Sequence, residues 1–559
     1  MFQEKISNFF KTYKTNILII FLSLAYFLVT TFDSYYDVIN PDSINWHARS
    51  YFFSQALKSG DYYRTYQAYH PGVTLMWLLS STAYFDGTFY TKDTFLQKDF
   101  IAKQSIYLVL TINFFICLLL LKNHWKTSSL VLFSIIYTLE PFLLGVRRLV
   151  HLEVMMLSFL ILSFLLLYDY SVRKPKTHYL ILSSLSFVLA FYTKSSAIII
   201  LPVLFLIFIF SKDKVIEKLK KLFIVIFSII LFLYLCFPAL WLDPINRFPE
   251  MFNKIYQGAS SIGYEGKMEV GTSGKSDNLI LKKSRALKNG FYQNALMYTL
   301  SPAIWVGILS LVPLALYLII KEITKLPNPR KISNILSQFL SNNKVRFILY
   351  SFLVFLAFYL SYSYSVKSYE RYAVVMYPFI FFIIVSILDF LDFKIVISVT
   401  LIYLGFIIPE LVKIHPYYYA YGNSYLGGSF QRYEKLNSPP FGVGTYLLNQ
   451  KLTEYIKTQN SEYFPAVAGF KSFKAIFKAG RNERSPLCDV DYFIMFYDDL
   501  TPGEACIGRS NKLIFTINIG GFDYWKVYKF NRQSTKAVKL NDVNLEERDK
   551  VIPVVSGDN

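Results

Sequence analysis

Long apolar runs recur along this chain, each near the length that an α-helix needs to cross a lipid bilayer. They lie at 17–32, 103–122, 127–145, 151–168, 178–193, 195–211, 221–240, 298–320, 346–365, 372–388 and 395–412. About 20 helical residues span the roughly 30 Å hydrocarbon core. Hydrophobic residues make up 54% of the 559 residues and charged residues 17%, whereas soluble domains carry about 25% charged residues. The sequence therefore predicts a mainly α-helical, polytopic membrane protein with about eleven transmembrane helices.

The distribution of positive charge along the chain predicts which side of the membrane each loop occupies. Lys and Arg concentrate in alternate loops, at 122–126, 171–176, 211–221 and 321–346, which the positive-inside rule assigns to the cytoplasm. The N-terminus is then cytoplasmic, and the first run lacks the small-residue site of a cleaved signal peptide. The large loops 33–102 and 241–297 and the C-terminal region lie on the extracytoplasmic side.

The formal net charge of +20 would also suit a nucleic-acid-binding protein. No basic domain or binding module accompanies the charge, and we therefore expect no nucleic-acid partner. Asn-x-Ser/Thr glycosylation acceptors are absent from the sequence, which favours a bacterial protein. The predicted location is the bacterial inner membrane, with the lipid bilayer as a partner.

The polar C-terminal part predicts a small α/β domain. A helix-like segment at 446–457 precedes strand-like runs at 492–497, 512–518 and 525–530. We therefore divide the chain into a transmembrane domain, 1–412, a soluble domain, 413–532, and a charged, flexible tail, 533–559. Four cysteines are too few for a disulfide framework, although Cys488 and Cys506 could pair in an extracytoplasmic domain.

Three aspartates crowd the point where the first apolar run ends. Carboxylates at the mouth of a membrane span are costly unless they face a cavity, which makes them candidate functional groups. Asp42 precedes a helix-like segment, 43–58, where it could cap the helix or act as a base towards a nucleophile. Asp33 and Asp37 are interpreted as solvated loop charges.

A second candidate group lies at the start of the fourth apolar run. It contains Arg148, His151 and Glu153. Arg and His can pair with a phosphate, and a Glu near a helix N-terminus is electrostatically favoured. The alternative is structural, with an Arg that reaches the lipid head groups beside a Glu that stabilises the helix end.

A third group consists of cations on the predicted outer side, where the positive-inside rule expects few. These are Lys194, Lys367 and Arg371. Contact with lipid head groups would explain each cation singly. A phosphate-bearing lipid held between them would also explain why they share one side.

Motifs for soluble nucleotide donors and for zinc are incomplete. Gly274-Lys275-Ser276 resembles the end of a phosphate-binding loop, but that motif needs a glycine where Glu269 stands. The histidines are scattered and lack zinc-site spacing. An activated donor on the outer side would therefore be linked to a lipid.

Taken together, these segments resemble the GT-C superfamily of polyprenyl-phosphate-sugar-dependent glycosyltransferases, in the bacterial branch related to protein mannosyltransferases and the lipid A aminoarabinose transferase. The matching segments, in chain order, are Pro41-Asp42, 66–77, 148–153, 193–195, 237–243, 367–372, 415–421 and Gly427-Gly428. The resemblance implies an inverting transfer of a sugar from a polyprenyl-phosphate-linked donor to a glycan, lipid or protein acceptor.

The resemblance also implies residue roles. Asp42 matches the catalytic aspartate of the first loop, and Glu153 stands where the family usually has a second aspartate. The positions implied for substrate binding are Tyr66, Gln67, His70, Arg148, His151, Lys194, Lys367, Arg371 and Tyr372. No cofactor is certain, and a divalent metal is a candidate. The family often has Asp-Glu in the first loop, whereas here Ser43 follows Asp42.

A membrane transporter or a lipid or oligosaccharide flippase is the alternative function. Such proteins usually show related halves with helices broken at corresponding places. No internal repeat is visible in this sequence, and a large outer loop and an outer domain are present instead.

Overall fold

The computed structural model of this chain describes most of its residues. They are 2–68, 70–173, 176–209, 214–260, 290–324, 342–365, 368–436, 441–459, 465–469, 471–479, 481–483, 490–496 and 511–530. The α-helices up to residue 414 are Phe2–Thr31, Pro41–Ser59, Val73–Ser81, Phe95–Leu121, Thr127–Leu139, Pro141–Arg147, Leu152–Arg173, His178–Thr193, Leu201–Ile209, Val215–Cys236, Pro244–Ser260, Phe291–Thr299, Pro302–Thr324, Asn343–Ser363, Tyr377–Leu388 and Phe393–Ile414. Short 3₁₀ turns lie at Tyr62–Thr65, Ser195–Ile200, Pro238–Leu240, Glu370–Val375, Tyr418–Ala420 and Ser424–Leu426.

Within the described ranges, seven helices are long and apolar enough to cross a membrane, and two bent helix pairs bring the number to nine. Two shorter apolar helices lie at His178–Thr193 and Ser195–Ile209. The described residues of each predicted apolar run lie mainly on one of these helices or pairs. The prediction of a mainly helical, polytopic integral membrane protein is therefore confirmed. The number of eleven spans and the orientation of the termini stay predictions.

Two helices form the centre of the bundle. The apolar part of Leu152–Arg173 is buried on all sides, and that of Glu370–Leu388 is 94% buried. A helix that is apolar all round belongs in a core rather than at a surface. By contrast, only 11% of the corresponding part of Val215–Cys236 is buried, which leaves that helix at the periphery. The N-terminal ends of the two central helices therefore lie inside the protein.

The predicted span at 127–145 is not one straight helix. It bends by 64° between Thr127–Leu139 and Pro141–Arg147, because Pro141 lacks an N–H donor and disfavours helical geometry in the residue before it. The carboxylate at the break, Glu140, is fully buried. It accepts hydrogen bonds from the Ser301 backbone N–H at 2.6 Å and hydroxyl at 2.8 Å, and from the Tyr403 hydroxyl at 3.1 Å. These contacts supply hydrogen-bond partners for a carboxyl group that the membrane interior would otherwise leave unsolvated.

Replacing Tyr403 by Phe should therefore lower the stability of the protein by about 0.5–1.5 kcal/mol, the usual net contribution of a hydrogen bond. The midpoint of thermal unfolding in detergent would measure the loss. Tyr425→Phe is the matched control, because Tyr425 is 73% exposed. Equal midpoints for the two variants would contradict the role given to the Glu140 contacts.

The C-terminal part contains the helices Gly428–Leu436, Thr445–Thr458 and Lys471–Lys474 and a five-stranded sheet. The strands are β1 (Ala466–Ala468), β2 (Arg481–Glu483), β3 (Tyr492–Phe496), β4 (Asn511–Ile519) and β5 (Phe522–Phe530), in the order β2-β1-β3-β5-β4. β1 runs parallel to β2 and β3, whereas β5 runs antiparallel to β3 and β4. The predicted strand-like runs coincide with β3, β4 and β5, and the predicted small α/β region is confirmed. Cys488, Cys506 and the predicted tail 533–559 lie outside the described residues.

Candidate active site

Asp42 is presented at the start of the helix Pro41–Ser59. Asn40 caps this helix, because its side-chain oxygen accepts the Ser43 backbone N–H at 2.7 Å. Pro41 occupies the first helical position, which needs no N–H donor. The capping alternative for Asp42 is thus wrong, and its carboxylate is free to point elsewhere. Its side chain is 35% exposed.

Asp42 meets four side chains from distant parts of the chain in what we call the carboxylate cluster: Asp42, His151, Glu153, Lys194 and Arg371. His151 Nε2 lies 2.9 Å from Asp42 Oδ2, and His151 Nδ1 contacts Glu153 Oε2. Lys194 Nζ lies 2.9 Å from Glu153 Oε1. Arg371 lies between the two acids, with Nη2 3.5 Å from Asp42 Oδ2 and Nε 3.6 Å from Glu153 Oε1. The structure thus brings both predicted catalytic residues together with three predicted substrate-binding residues.

Glu153, Lys194 and Arg371, which are buried members of the cluster, lie at or next to helix ends. Glu153 lies in the first turn of Leu152–Arg173, where the helix dipole favours a negative charge. Lys194 follows the last residue of His178–Thr193 in extended conformation. Arg371 lies in the 3₁₀ turn Glu370–Val375, directly before another central helix. Apart from Asp42, every cluster side chain is at most 8% exposed. Solvent therefore reaches the cluster at Asp42.

The electrostatic environment sets the charge state of the acid and the imidazole. Burial acts to raise the pKa of Asp42, but the His151 hydrogen bond and the charges of Arg371 and Arg49 outweigh it and hold the pKa below its usual range. Burial lowers the pKa of His151 to about 4, against the raising effect of its contact with Asp42. At neutral pH Asp42 is therefore ionised and the imidazole is neutral. Since a neutral ring carries one N–H, the row Asp42–His151–Glu153 can hold and shift a shared proton.

Aromatic rings surround the two cations of the cluster. The Arg371 guanidinium carbon lies 4.1 Å from the Tyr369 ring centroid and 4.3 Å from that of Phe441. Lys194 Nζ lies 3.6 Å from the Tyr372 ring centroid. These are cation–π distances, at which an aromatic face attracts a positive charge. Tyr372 was among the predicted site residues. Sequence reasoning did not predict Tyr369 or Phe441. Tyr369 could have been found from its position two residues before Arg371, whereas nothing in the sequence points to Phe441.

Arg148, also predicted for this site, contacts a different part of the structure. Its Nη2 donates to the backbone carbonyls of Val29 at 2.9 Å and Phe32 at 2.6 Å, at the end of the first helix. Its Nη1 lies 3.8 Å from Asp37 Oδ2. Among these contacts none joins Arg148 to the carboxylate cluster, although His151 follows it by three residues. The chain turns between the two residues, and this turn separates their side chains.

The interpretation of Asp37 as a solvated loop charge is wrong. The residue is 2% exposed and pairs with Lys103 at 3.0 Å. Lys103 also pairs with Asp99 at 3.2 Å, and Asp99 with His47 at 3.1 Å. This buried network joins the helix that carries Asp42 to the helix Phe95–Leu121. Asp33, by contrast, is 46% exposed beside His415.

The remaining predicted first-loop residues are Tyr66, Gln67 and His70. Tyr66 donates to the Met251 carbonyl at 3.5 Å and packs edge-on against Phe237. The Gln67 amide donates to a carbonyl in its own turn, that of Arg64. His70 is half-buried, two residues before Gly72. A side chain at Gly72 would collide with Trp46, because its Cβ would lie 2.1 Å from the Trp46 ring. Lys367 lies outside the described residues.

The predicted divalent metal stays a prediction. Among the residues that the structure describes, no three His, Cys, Asp or Glu side chains are disposed to hold a metal ion. In the carboxylate cluster, the two nitrogens of His151 contact Asp42 and Glu153. Glu153 also contacts the cations Lys194 and Arg371.

Comparisons with known proteins give likenesses to solved structures. No protein-family model matches the sequence, and no curated protein matches it. The structure of ArnT from Cupriavidus metallidurans in the apo state has 11% sequence identity and a TM-score of 0.46, over 92% of this chain and 97% of that chain. The structure of the same protein bound to undecaprenyl phosphate has 10% identity and a TM-score of 0.44, over 93% of this chain and 99% of that chain. Likeness at this level assigns neither a family nor an activity.

Proposed function

We propose that this protein is a membrane glycosyltransferase that moves a sugar from a polyprenyl-phosphate-linked donor to an acceptor on the extracytoplasmic side. The observation that carries the proposal is the carboxylate cluster. It places an ionised, partly exposed acid, Asp42, beside the buried Arg371, and it places Glu153 beside both Arg371 and the buried Lys194, at the ends of membrane helices. Buried charges at membrane depth usually mark functional sites, and this set suits transfer away from a phosphate.

Asp42 acts on the acceptor. In an inverting transfer, a hydroxyl or amine of the acceptor attacks the anomeric carbon from the face opposite the phosphate. A new bond forms to that carbon, and the bond between the carbon and the phosphate oxygen breaks. Asp42 orients the nucleophile and takes its proton, which His151 can share through the 2.9 Å contact. The proton thus stays within the Asp42–His151–Glu153 row, and the bond electrons leave with the phosphate.

Lys194 and Arg371 act on the leaving group. Negative charge grows on the lipid phosphate as its bond to the sugar breaks, and fixed cations stabilise that charge most where little water competes. Glu153 holds both cations in place, at 2.9 Å from Lys194 and 3.6 Å from Arg371. With a neutral His151, the two acids and two cations of the cluster balance. An incoming phosphate then adds the negative charge that the cations can share. No step of this mechanism passes through a metal.

The test is turnover of a radiolabelled polyprenyl-phosphate sugar by the purified protein in detergent, with extracted cell-envelope lipids and glycans as acceptors. Label should move from the lipid carrier to an acceptor without any membrane gradient. A transporter or flippase would leave the donor intact in detergent and would move it across the membrane of proteoliposomes. That second pattern would overturn the proposal.

The pH dependence of transfer follows from the charge states. Asp42 must be ionised, and its pKa is lowered, while the His151 pKa is lowered to about 4. We expect kcat/KM to stay level as the pH falls from 8 to about 5, and to fall only near or below pH 4. The variant His151→Asn removes the hydrogen bond that lowers the Asp42 pKa. Burial should then raise the Asp42 pKa, and the loss of rate at acid pH should begin at a higher pH. Initial rates between about pH 3 and pH 9 measure this dependence. A wild-type rate that falls with a midpoint near pH 6.5, the ordinary histidine value, would contradict the assignment.

A further inference from the structure

A short segment, which we call the strap (441–444), joins the C-terminal sheet to the carboxylate cluster. Val443 forms an isolated antiparallel bridge with Val38 in the first loop. The Trp525 indole N–H, from β5, donates to the Val443 carbonyl at 2.7 Å. The strap therefore lies between the loop that leads to Asp42 and the sheet.

The backbone of the strap is bent sharply and has little freedom. Phe441 has a φ of 47°, which is uncommon for a bulky residue, and Gly442 has a φ of 84°. A Cβ on Gly442 would lie 1.9 Å from the Ile39 carbonyl oxygen, so the strap packs directly on the first-loop backbone. Unfavourable backbone angles of this kind persist where the surroundings enforce them, and they concentrate at functional sites.

This backbone directs Phe441 into the carboxylate cluster. Its ring is 7% exposed and lies 4.3 Å from the Arg371 guanidinium carbon and 5.7 Å from the His151 ring. Tyr369 contacts the same guanidinium at 4.1 Å. The distances from Arg371 to its two carboxylates are long, 3.5 and 3.6 Å. Contact with the aromatic rings therefore has a large share in fixing where the guanidinium lies.

We propose that Phe441 is a positioning residue that holds Arg371 against Asp42 and Glu153, and that the C-terminal sheet keeps Phe441 in place through the strap. The C-terminal region then contributes to the active site, because it fixes the position of Phe441 beside Arg371. The kinetic side of this inference rests on the proposed glycosyltransferase function.

The first experiment compares Phe441→Leu with Phe441→Trp in the transfer assay. Leu keeps an apolar side chain but offers no aromatic face, and kcat should fall by about 5- to 30-fold, since a desolvated cation–π contact contributes that much. The donor KM should change by less than about threefold, because Arg371 acts mainly on the transition state. Trp provides the strongest cation–π face and should restore most of the rate. Phe430→Leu is the matched control, because Phe430 packs on Phe522 at the same sheet. A normal kcat for a folded Phe441→Leu variant would overturn the proposal.

The second experiment tests the link to the sheet. Trp525→Phe removes the N–H that binds the Val443 carbonyl, and kcat should fall severalfold in the wild-type background. In the Phe441→Leu background the same change should have little further effect, because the two act in series. Independent, multiplicative losses would show that Trp525 does not act through Phe441.

A readout without activity separates this inference from the proposed function. Phe441→Leu, Arg371→Gln and the double variant are compared by thermal unfolding of the full-length protein in detergent. Contact between the two side chains predicts that the double variant loses less than the sum of the single shifts in midpoint. If wild-type protein turns over no donor yet this coupling is present, the proposed function fails and the contact stands. Additive shifts would overturn the contact itself.

Discussion

Replacing Asp42 by Asn should lower the rate of sugar transfer by about 10²- to 10⁴-fold, the usual contribution of a positioned acid or base. The amide keeps the size of the side chain but cannot take the proton of the acceptor. It also gives up the negative charge that faces His151 and Arg371. Initial rates with a saturating polyprenyl-phosphate sugar measure the loss.

Asp61→Asn is the matched control for this variant. Asp61 belongs to the same loop, is 44% exposed and pairs with Arg64 at 3.1 Å. Its rate should stay within about twofold of wild type, because an exposed ion pair contributes little. A folded Asp42→Asn protein with a normal rate would remove Asp42 from the mechanism.

Replacing Arg371 by Gln should lower kcat by about 10²- to 10³-fold, the effect of losing one fixed donor to a developing negative charge. The variant also leaves Glu153 and Asp42 with one cation fewer. The thermal unfolding midpoint must therefore be measured beside the rate. Arg371→Lys keeps the charge but loses the planar face that lies against Tyr369 and Phe441, and we expect an intermediate rate.

Arg247→Gln controls for the loss of a cation held in a similar way. Arg247 lies 4.0 Å from the Tyr63 ring centroid and pairs with Glu250 at 2.6 Å, but its side chain is 35% exposed. A near-normal rate is expected for Arg247→Gln. If both arginine variants lost the same modest factor, Arg371 would have no special part in phosphate departure.

The apolar runs were sufficient to predict the membrane helices, because twenty consecutive apolar residues have few other stable solutions. Short apolar, strand-like runs likewise predicted three of the strands. Gly520-Gly521 closes the β4–β5 hairpin with φ angles of 60° and 87°, as two-residue hairpin turns require. Helix hydrophobicity, strand runs and turn residues depend on short stretches of sequence, so they can be predicted from the sequence alone.

The candidate site was only partly predictable. Asp42, Glu153 and Lys194 were candidates from their types and their places near the ends of apolar runs, and the family resemblance implied their roles. Arg148 looked equally suitable, yet it binds carbonyls at the end of the first helix. Asp37 looked solvated, yet Lys103, 66 residues further along the chain, neutralises it in the interior. The partner of a buried charge is set by packing between distant helices, and spacing along the sequence does not encode it.

The sequence alone thus determined that this chain enters the membrane many times and carries acids and cations at the ends of its helices. Hydrophobicity and charge act residue by residue, so their pattern can be read without the fold. Only the tertiary structure decided which of these charges meet, at distances of about 3 Å between Asp42 and His151 and between Glu153 and Lys194. It also decided that Phe441, 70 positions from Arg371 in the chain, lies over that arginine, because the strap and the sheet hold it there.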